Sequence, residues 1–387
     1  MTNLEDDSAQ GASGHSRQPK YKVVFDSLKD SIASGEYRSG ARLPSEGALQ
    51  RRFGVSRMTV VKAVRDLQQL GLVVRRAGSG TYVSIDQAVR GCLFGLLIPE
   101  LGATEIFEPI CHGMTKYPAA GKHSLLWGNT ASETDQKEVV AENLCGQFVA
   151  RGVSGVFFAP LELTPGKDQT NRNILAALDR ARIPVVLLDR DVFSYPMRSN
   201  YDLVGIDNRR TAFHATEHLV KAGATKIAFF HRPFSASTVD ARIAGYREAL
   251  LAHRLFISED LVFSGDPRDR SFVRSILENH APDAFLCAND HTAANLMQSL
   301  LELNRRIPEE IRMVGIDDVK YARLLPVPLT TEHQPCLDIG AVAMSTMLQR
   351  LENPTLPARD VLIGCKLVVR RSCGAYSTSQ SLKPVVA

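Results

Sequence analysis

The sequence predicts an α/β protein in two parts: an N-terminal winged helix-turn-helix and a two-lobed body of doubly wound parallel sheets. Three observations predict it. Residues 19–84 carry twelve Lys/Arg against five Asp/Glu, a net of +7, in a chain whose net charge is only +4. That basic stretch holds three helical periodicities and then a glycine-punctuated hairpin. From Cys92 onward, short apolar runs alternate with helical stretches in two successive halves.

In the basic part, Val24, Leu28 and Ile32 share one face of a helix expected from Tyr21 to Ser34, stopped by Gly35. "EYRSGARLP" turns the chain into a short helix capped by Ser45. Ser56 then has the side chain of an N-cap for a helix whose Val60, Val64, Leu67 and Leu70 form an apolar stripe. The residues left off the stripe, Arg57, Met58, Thr59, Val61, Lys62 and Arg65, are short, polar or basic, which suits a DNA major groove. Gly71 ends that helix. Strands at Val73–Arg76 and Thr81–Val83 follow, joined by Ala77-Gly78-Ser79-Gly80, whose glycines let backbone approach a phosphate or a minor groove.

In the body, "CLFGLLIP", "HSLLWG", "GVFFAP", "PVVLLDRD" and "LVGIDN" are expected strands of a first lobe. "KIAFFHRP", "DLVFSGD", "DAFLCAND" and "RMVGIDD" repeat the pattern in a second. Polar residues cluster just past strand ends at Asp189-Arg190, His231-Arg232 and Asn289-Asp290. Ligands of open α/β sheets bind outside those carboxyl ends. The expected organisation is a flexible tail at 1–18, the DNA unit at 19–84, a linker at 85–91, the two-lobed unit at 92–374 and a second tail at 375–387.

Composition narrows the function. No apolar run reaches the roughly 18 residues of a membrane span, and the polar, acidic N-terminus lacks the apolar core of a secretory signal. The seven cysteines are scattered and form no CxxC pair, as in a reducing compartment. A cytoplasmic protein without membrane contact is expected. "HATEH" at 214–218 fits the H-x-x-E-H order of inverted zinc peptidases, with His214 and His218 one helical turn apart and Glu217 as base. No spacing forces a third ligand, so neither a metal, a cofactor nor a catalytic residue is expected. A solute-binding protein is the third class weighed, and the basic winged unit argues against it.

The runs "GEYRSGARLPSE", "FGVSRMTVVKAVRDLQQLGLV" and "RRAGSGTYV" resemble the DNA-binding domain of the GntR family of bacterial regulators. The resemblance implies that Ser56, Arg57 and Thr59 meet DNA at the head of the recognition helix. It places Gly78 at the wing and Arg75 or Arg76 near phosphate. Arg42, Ser45, Arg52 and Lys62 complete the expected DNA-binding set. Gly47 and Val61 stand where that family usually has Arg, and Lys62 or Arg52 would compensate. The body resembles the LacI/GalR-type sensor, similar to periplasmic sugar-binding proteins, through "IPVVLLDRD", "VGIDNRRTAFHATEHLVKAGATKIAFF", "RIAGYREAL", "DAFLCANDHTA", "IRMVGIDD" and "PLTTEHQP". This implies a periplasmic-binding-protein-like domain holding a small polar effector, usually a sugar or nucleobase, between its lobes. Asp189, Arg190, Arg242, Asp290 and Gln334 are the implied effector-binding residues, with Arg242 opening its helix and Asp290 facing the cleft. The combination resembles the arabinose repressor architecture of Gram-positive bacteria, and so implies a homodimeric repressor of double-stranded operator DNA released by a sugar-like effector.

Overall fold

The computed structural model describes residues 19–37, 40–69, 72–76, 79–83, 91–98, 105–118, 120–128 and 137–375. The tails expected at 1–18 and 375–387, apart from Ala375, lie outside the described residues, as do Gly78 and the linker at 85–91, apart from Gly91. The chain divides into two compact units, Met1–Gly91 and Cys92–Ala387.

In the first unit, α1 (Lys20–Ala33), α2 (Glu46–Phe53) and α3 (Arg57–Gln69) pack around Val24, Leu28, Ile32, Leu49, Val60, Val64 and Leu67. Ser45 Oγ accepts the Ala48 amide at 3.2 Å, and Ser56 Oγ accepts the Thr59 amide at 3.2 Å, so each hydroxyl caps its helix. Gly54 ends α2 at φ 62°, a left-handed conformation that costs glycine little. β1 (Val73–Arg76) and β2 (Gly80–Val83) pair antiparallel, with Val73 opposite Val83. α1 starts and ends one residue earlier than the Tyr21–Ser34 expectation, and β2 starts one residue earlier than Thr81. Arg42 adds an antiparallel bridge to Tyr82 and ties the α1–α2 connection to the hairpin.

The second unit holds two six-stranded sheets. The first lobe runs β3 (Leu93–Leu97), α4 (Phe107–Lys116), β4 (Ser124–Trp127), α5 (Lys137–Arg151), β5 (Gly155–Phe158), α6 (Lys167–Arg180), β6 (Val185–Leu188) and β7 (Asp202–Ile206). The second runs α7 (Asn208–Lys221), β8 (Ile227–His231), α8 (Ser237–Ala252), β9 (Val262–Ser264), α9 (Arg270–His280), β10 (Ala284–Cys287), α10 (Asp290–Glu302), β11 (Arg312–Asp317) and β12 (Thr330–His333). β5, β6 and β10 are buried throughout, which explains why they read as unbroken apolar runs.

The chain then returns to the first lobe with α11 (Cys336–Glu352) and β13 (Asp360–Ile363), and ends in the second with β14 (Lys366–Val368). The strand orders are β13-β7-β6-β5-β3-β4 and β14-β12-β11-β10-β8-β9, parallel except for β12–β14. Neither β13 nor β14 was expected from sequence, because short edge strands with one exposed face lack a buried apolar run. Three segments therefore join the lobes, at Ile206–Asn208, His333–Cys336 and Ile363–Lys366.

α11 seals the first lobe by crossing α4 backbone to backbone. A Cβ on Gly113 would collide with the Leu337 carbonyl, and one on Gly340 with the Ile110 carbonyl. Neither neighbour is a side chain that could swing away. Gly340→Ala should therefore destabilise the second unit by about 1–3 kcal/mol, as overpacking does. Thermal unfolding measures it, and an unchanged midpoint would refute the close crossing.

Candidate functional site

The first unit presents a basic face built from three elements. Ser56 Oγ lies 2.8 Å from Thr59 Oγ1 at the head of α3, and Arg57 beside them keeps 74% of its side chain exposed. Glu46, the first residue of α2, accepts Arg57 Nε at 3.4 Å on one carboxylate oxygen and Arg75 Nη2 at 3.1 Å on the other. Glu46 thus ties α3 to β1. Sequence reasoning had not selected it. Arg42, Ser45 and Arg75 line one hollow of about 290 Å3 beside it.

The other three cations of the expected DNA-binding set, Arg52, Lys62 and Arg76, have partners within the unit. Arg76 sits 4.7 Å over the Tyr82 ring and Lys62 3.9 Å over the Tyr21 ring. Arg52 donates to Tyr37 Oη at 2.8 Å and pairs with Glu36 at 3.8 Å. Exposed pairs of this kind contribute about 0–1 kcal/mol, so a phosphate can replace them at little cost.

The second site lies where the lobes meet, outside the carboxyl ends of β5, β6, β8, β10, β11 and β12. Arg190, just past β6, is 5% exposed and pairs with Glu162 and, at 3.3 Å, with Asp189. Its guanidinium stands 5.4 Å from the Phe107 ring centroid. Glu162 also accepts the Ala236 amide of the other lobe at 3.2 Å. Burial pushes the Glu162 carboxyl up, but Arg190 and the Ala236 amide outweigh it and hold the group below its usual range. Among the described residues three further bonds cross between the lobes: the Leu163 amide donates to the Phe234 carbonyl at 2.7 Å, Ser237 Oγ to the Asp191 carbonyl at 2.7 Å, and Arg209 Nη1 to Tyr195 Oη at 3.1 Å.

On the far side of the cleft, Arg242 donates Nε to Asn208 Oδ1 at 2.8 Å and Nη1 to the Ala288 carbonyl. Gln334, 1% exposed, donates to Asp317 Oδ1 at 2.6 Å. Burial, Asp290 and Asp189 push Asp317 well above the carboxylate range, against the opposing pull of Arg242 and Gln334. Burial likewise raises Asp189. Asp189 Oδ1 and Gln334 Oε1 are enclosed and have no hydrogen-bond partner among the described residues. Buried acceptors left in this condition await a donor. The space between these groups is about 40 Å3, enough for a few waters and far below the roughly 300–1,000 Å3 of small-molecule pockets.

Of the expected effector residues, Arg190, Arg242 and Gln334 line this cleft, and Asp189 lies directly behind Arg190. Two expectations need correction. Arg242 does not open its helix but sits inside α8, which begins at Ser237. Asp290 does not face the cleft. It is fully enclosed, with Oδ1 accepting Thr331 Oγ1 at 2.6 Å and Oδ2 the Val319 amide at 3.1 Å, and it packs where Gly315 leaves room for it. Burial raises its carboxyl to about 6. Glu162, Arg232, Asn289 and Asp317 line the cleft and were missing from the expected set. Arg232 and Asn289 carried the signal of a polar residue just past a strand. Asp317 sits in the quoted segment "RMVGIDD" and Glu162 two residues beyond "GVFFAP", and neither gave a periodic signal.

In the "HATEH" helix, Glu217 pairs with Lys221 at 2.9 Å and His253 at 3.4 Å, and His214 is exposed. Among the described residues no group of His, Cys, Asp and Glu is arranged to hold a metal ion, and no helix is long and apolar enough to cross a membrane.

A basic winged helix-turn-helix joined to a two-lobed fold with a polar cleft defines the class of ligand-responsive DNA-binding regulators. Residues 20–83 match the gntR family of bacterial regulatory proteins, and residues 216–373 match the periplasmic binding protein-like domain. The chain thus combines a GntR-family DNA-binding domain with a LacI-type periplasmic-binding-protein-like domain. It is 24% identical over 366 residues to the arabinose metabolism transcriptional repressor of Geobacillus stearothermophilus, covering 92% of this chain and 97% of that one. It is 25% identical over 293 residues to the ribose operon repressor of Halalkalibacterium halodurans, covering 75% and 82%. The fold also matches a solved complex of the transcriptional regulator CelR with cellobiose, with TM-score 0.62 and 23% identity over 92% of this chain and 100% of that one.

Glu332 on β12 is 2% exposed, with Oε1 enclosed and without a partner among the described residues. Burial pushes it from 4.5 to about 7. A carboxyl raised on folding favours the fold below its unfolded pKa, and that contribution is lost as pH rises through the folded value. Glu332→Gln should therefore match the parent near pH 4 and exceed it at pH 8 by on the order of 3 kcal/mol. Urea unfolding at the two pH values measures the difference, and an equal gap at both would contradict it.

Proposed function

We propose that this chain is a cytoplasmic, homodimeric transcriptional repressor that binds operator DNA sequence-specifically, performs no catalysis, and leaves its operator when a sugar or sugar derivative enters the cleft. The observation that carries the reading is the cleft itself. Two guanidinium groups, Arg190 and Arg242, and the unsatisfied Gln334 Oε1 meet there across two lobes, in a chain that also holds a DNA-reading unit. Paired hydroxyls suit planar guanidinium and carboxylate partners, and the related repressors of arabinose and ribose genes support a carbohydrate effector.

The cleft is too small for a sugar ring, so entry parts the lobes and breaks the bonds from Leu163, Ala236 and Ser237. The lobe arrangement with effector inside then sets a dimer geometry that fits the operator poorly. This is a coupling free energy between two sites, so operator DNA weakens effector binding by the same factor. Dimerisation through the second unit presents two winged units to related half-sites.

Gel-shift titration of operator DNA, with and without a panel of sugars, tests the reading, and failure to bind any DNA defeats it. Arg57→Ala should cost about 1–3 kcal/mol on the cognate site and relax preference at one position per half-site, as loss of a base contact does. Arg76→Ala should weaken all sequences alike and flatten the salt dependence. Equal operator affinity for Arg57→Ala and the parent would displace the recognition helix from this role.

Gln334→Ala or Arg242→Ala should weaken effector binding about ten- to a hundredfold, the loss of one or more buried bonds, while operator affinity without effector holds. Calorimetric titration of each variant decides. Unchanged affinity in both would place the effector elsewhere.

A further inference from the structure

Three arginines line the cleft, and only two of them are matched. Arg190 has Glu162 and Asp189. Arg242 has Asn208 and the Ala288 carbonyl, and its charge is felt by Asp317 and Asp189. Arg232, just past β8, is half-buried, and its guanidinium makes no hydrogen bond or ion pair among the described residues. Its backbone is nonetheless fixed, because Ser235 Oγ donates to its carbonyl at 2.6 Å and His231 Nδ1 lies 2.9 Å from the same oxygen. The carboxylate whose charge it feels, Asp266, is already engaged by the backbone and side chain of Arg268. Burial and then the charges of Arg232 and Arg268 hold His291 below its usual range, the mark of a positive field at this end of the cleft.

We infer that the effector carries an anionic group, a carboxylate or a phosphate, and that Arg232 selects for it. The inference rests on the reading of the cleft as the effector site and adds the effector's charge class. A partly desolvated cation without a partner is costly, and a ligand anion removes that cost. The guanidinium fork takes either oxyanion through two parallel hydrogen bonds. In the same cleft, on other segments, Gln334 Oε1 and Asp317 accept from hydroxyls, and Gln334 Oε1 is enclosed with no partner among the described residues. One molecule satisfies both if it is a polyol with an acid at one terminus: an aldonic acid or a sugar phosphate. Glu162 does not repel that acid, because Arg190 and the Ala236 amide already neutralise it.

The test titrates the full chain calorimetrically with matched triplets: arabinose, arabinonate and arabinose 5-phosphate; ribose, ribonate and ribose 5-phosphate; glucose, gluconate and glucose 6-phosphate. Inorganic phosphate is the control for the anion alone. The expected result is that an acid or phosphate binds at least about tenfold more tightly than its neutral parent, a gain typical of a charge-assisted bond. Arg232→Gln should erase that preference and leave the neutral parent within about threefold, while Arg232→Lys, keeping charge without the fork, should fall between. Carboxylate and phosphate members of one triplet identify which oxyanion is taken. A neutral sugar that binds as tightly as its anionic partners overturns the inference and leaves the sugar reading intact. Equal losses for neutral and anionic ligands in Arg232→Gln overturn it as well. Binding by no member of any triplet defeats the sugar reading and this inference together, and a melting curve for each variant confirms that the fold is kept.

Discussion

The cleft depends on one buried guanidinium. Arg190 has almost no exposed surface, so its charge must be met inside the protein. Asp189 meets it from the same turn and Glu162 from the neighbouring strand's end. Glu162 in turn reaches across to the first amide of the α8 region. The charge of one lobe is thus completed by a backbone group of the other. Breaking such a buried pair by removing one partner costs about 3–5 kcal/mol, because the survivor stays enclosed. In the first unit, by contrast, Arg57 and Arg75 pair with Glu46 while keeping most of their own side chains exposed.

The contrast suits the two tasks. On the function proposed above, a DNA-reading surface has to release its internal partners when phosphates arrive, and the exposed pairs of Glu46 with Arg57 and Arg75 are of the kind that parts at little cost. A sensing cleft has to hold two arrangements separated by only a few kcal/mol. The four inter-lobe hydrogen bonds among the described residues, each with a net worth of about 0.5–1.5 kcal/mol, are of that size.

Much of this was legible in the sequence, for local reasons. Ser45 and Ser56 cap their helices because a hydroxyl before a helix has few other uses, and Val60, Val64 and Leu67 repeat with the helical period. Strands buried on both faces announce themselves as apolar runs, which gave both lobes. What escaped depends on partners distant in sequence. Asp290 follows a strand as a cleft residue should, yet Thr331 and the Val319 amide turn it inward, aided by the missing side chain of Gly315. Glu162 gains its role only when Ala236 arrives from the other lobe. Glu46 does so only when α3 and β1 fold against α2. Periodicity reports which side of an element is buried, not which charge it will face.

The threefold crossing between the lobes also fixes an order of assembly. Synthesis runs from the N-terminus, and the first lobe's strands β3 to β7 are complete at Ile206. Yet the helix that covers α4 and the strand that flanks β7 come from Cys336–Glu352 and Asp360–Ile363, after nearly all of the second lobe. A nascent chain therefore emerges with its first lobe unsealed, the apolar faces of Phe107, Ile110 and Met114 waiting for Ile339, Ala343 and Met344. The lobe made first is the lobe finished late, and a chain cut short before Asp360 leaves both sheets without their last strands.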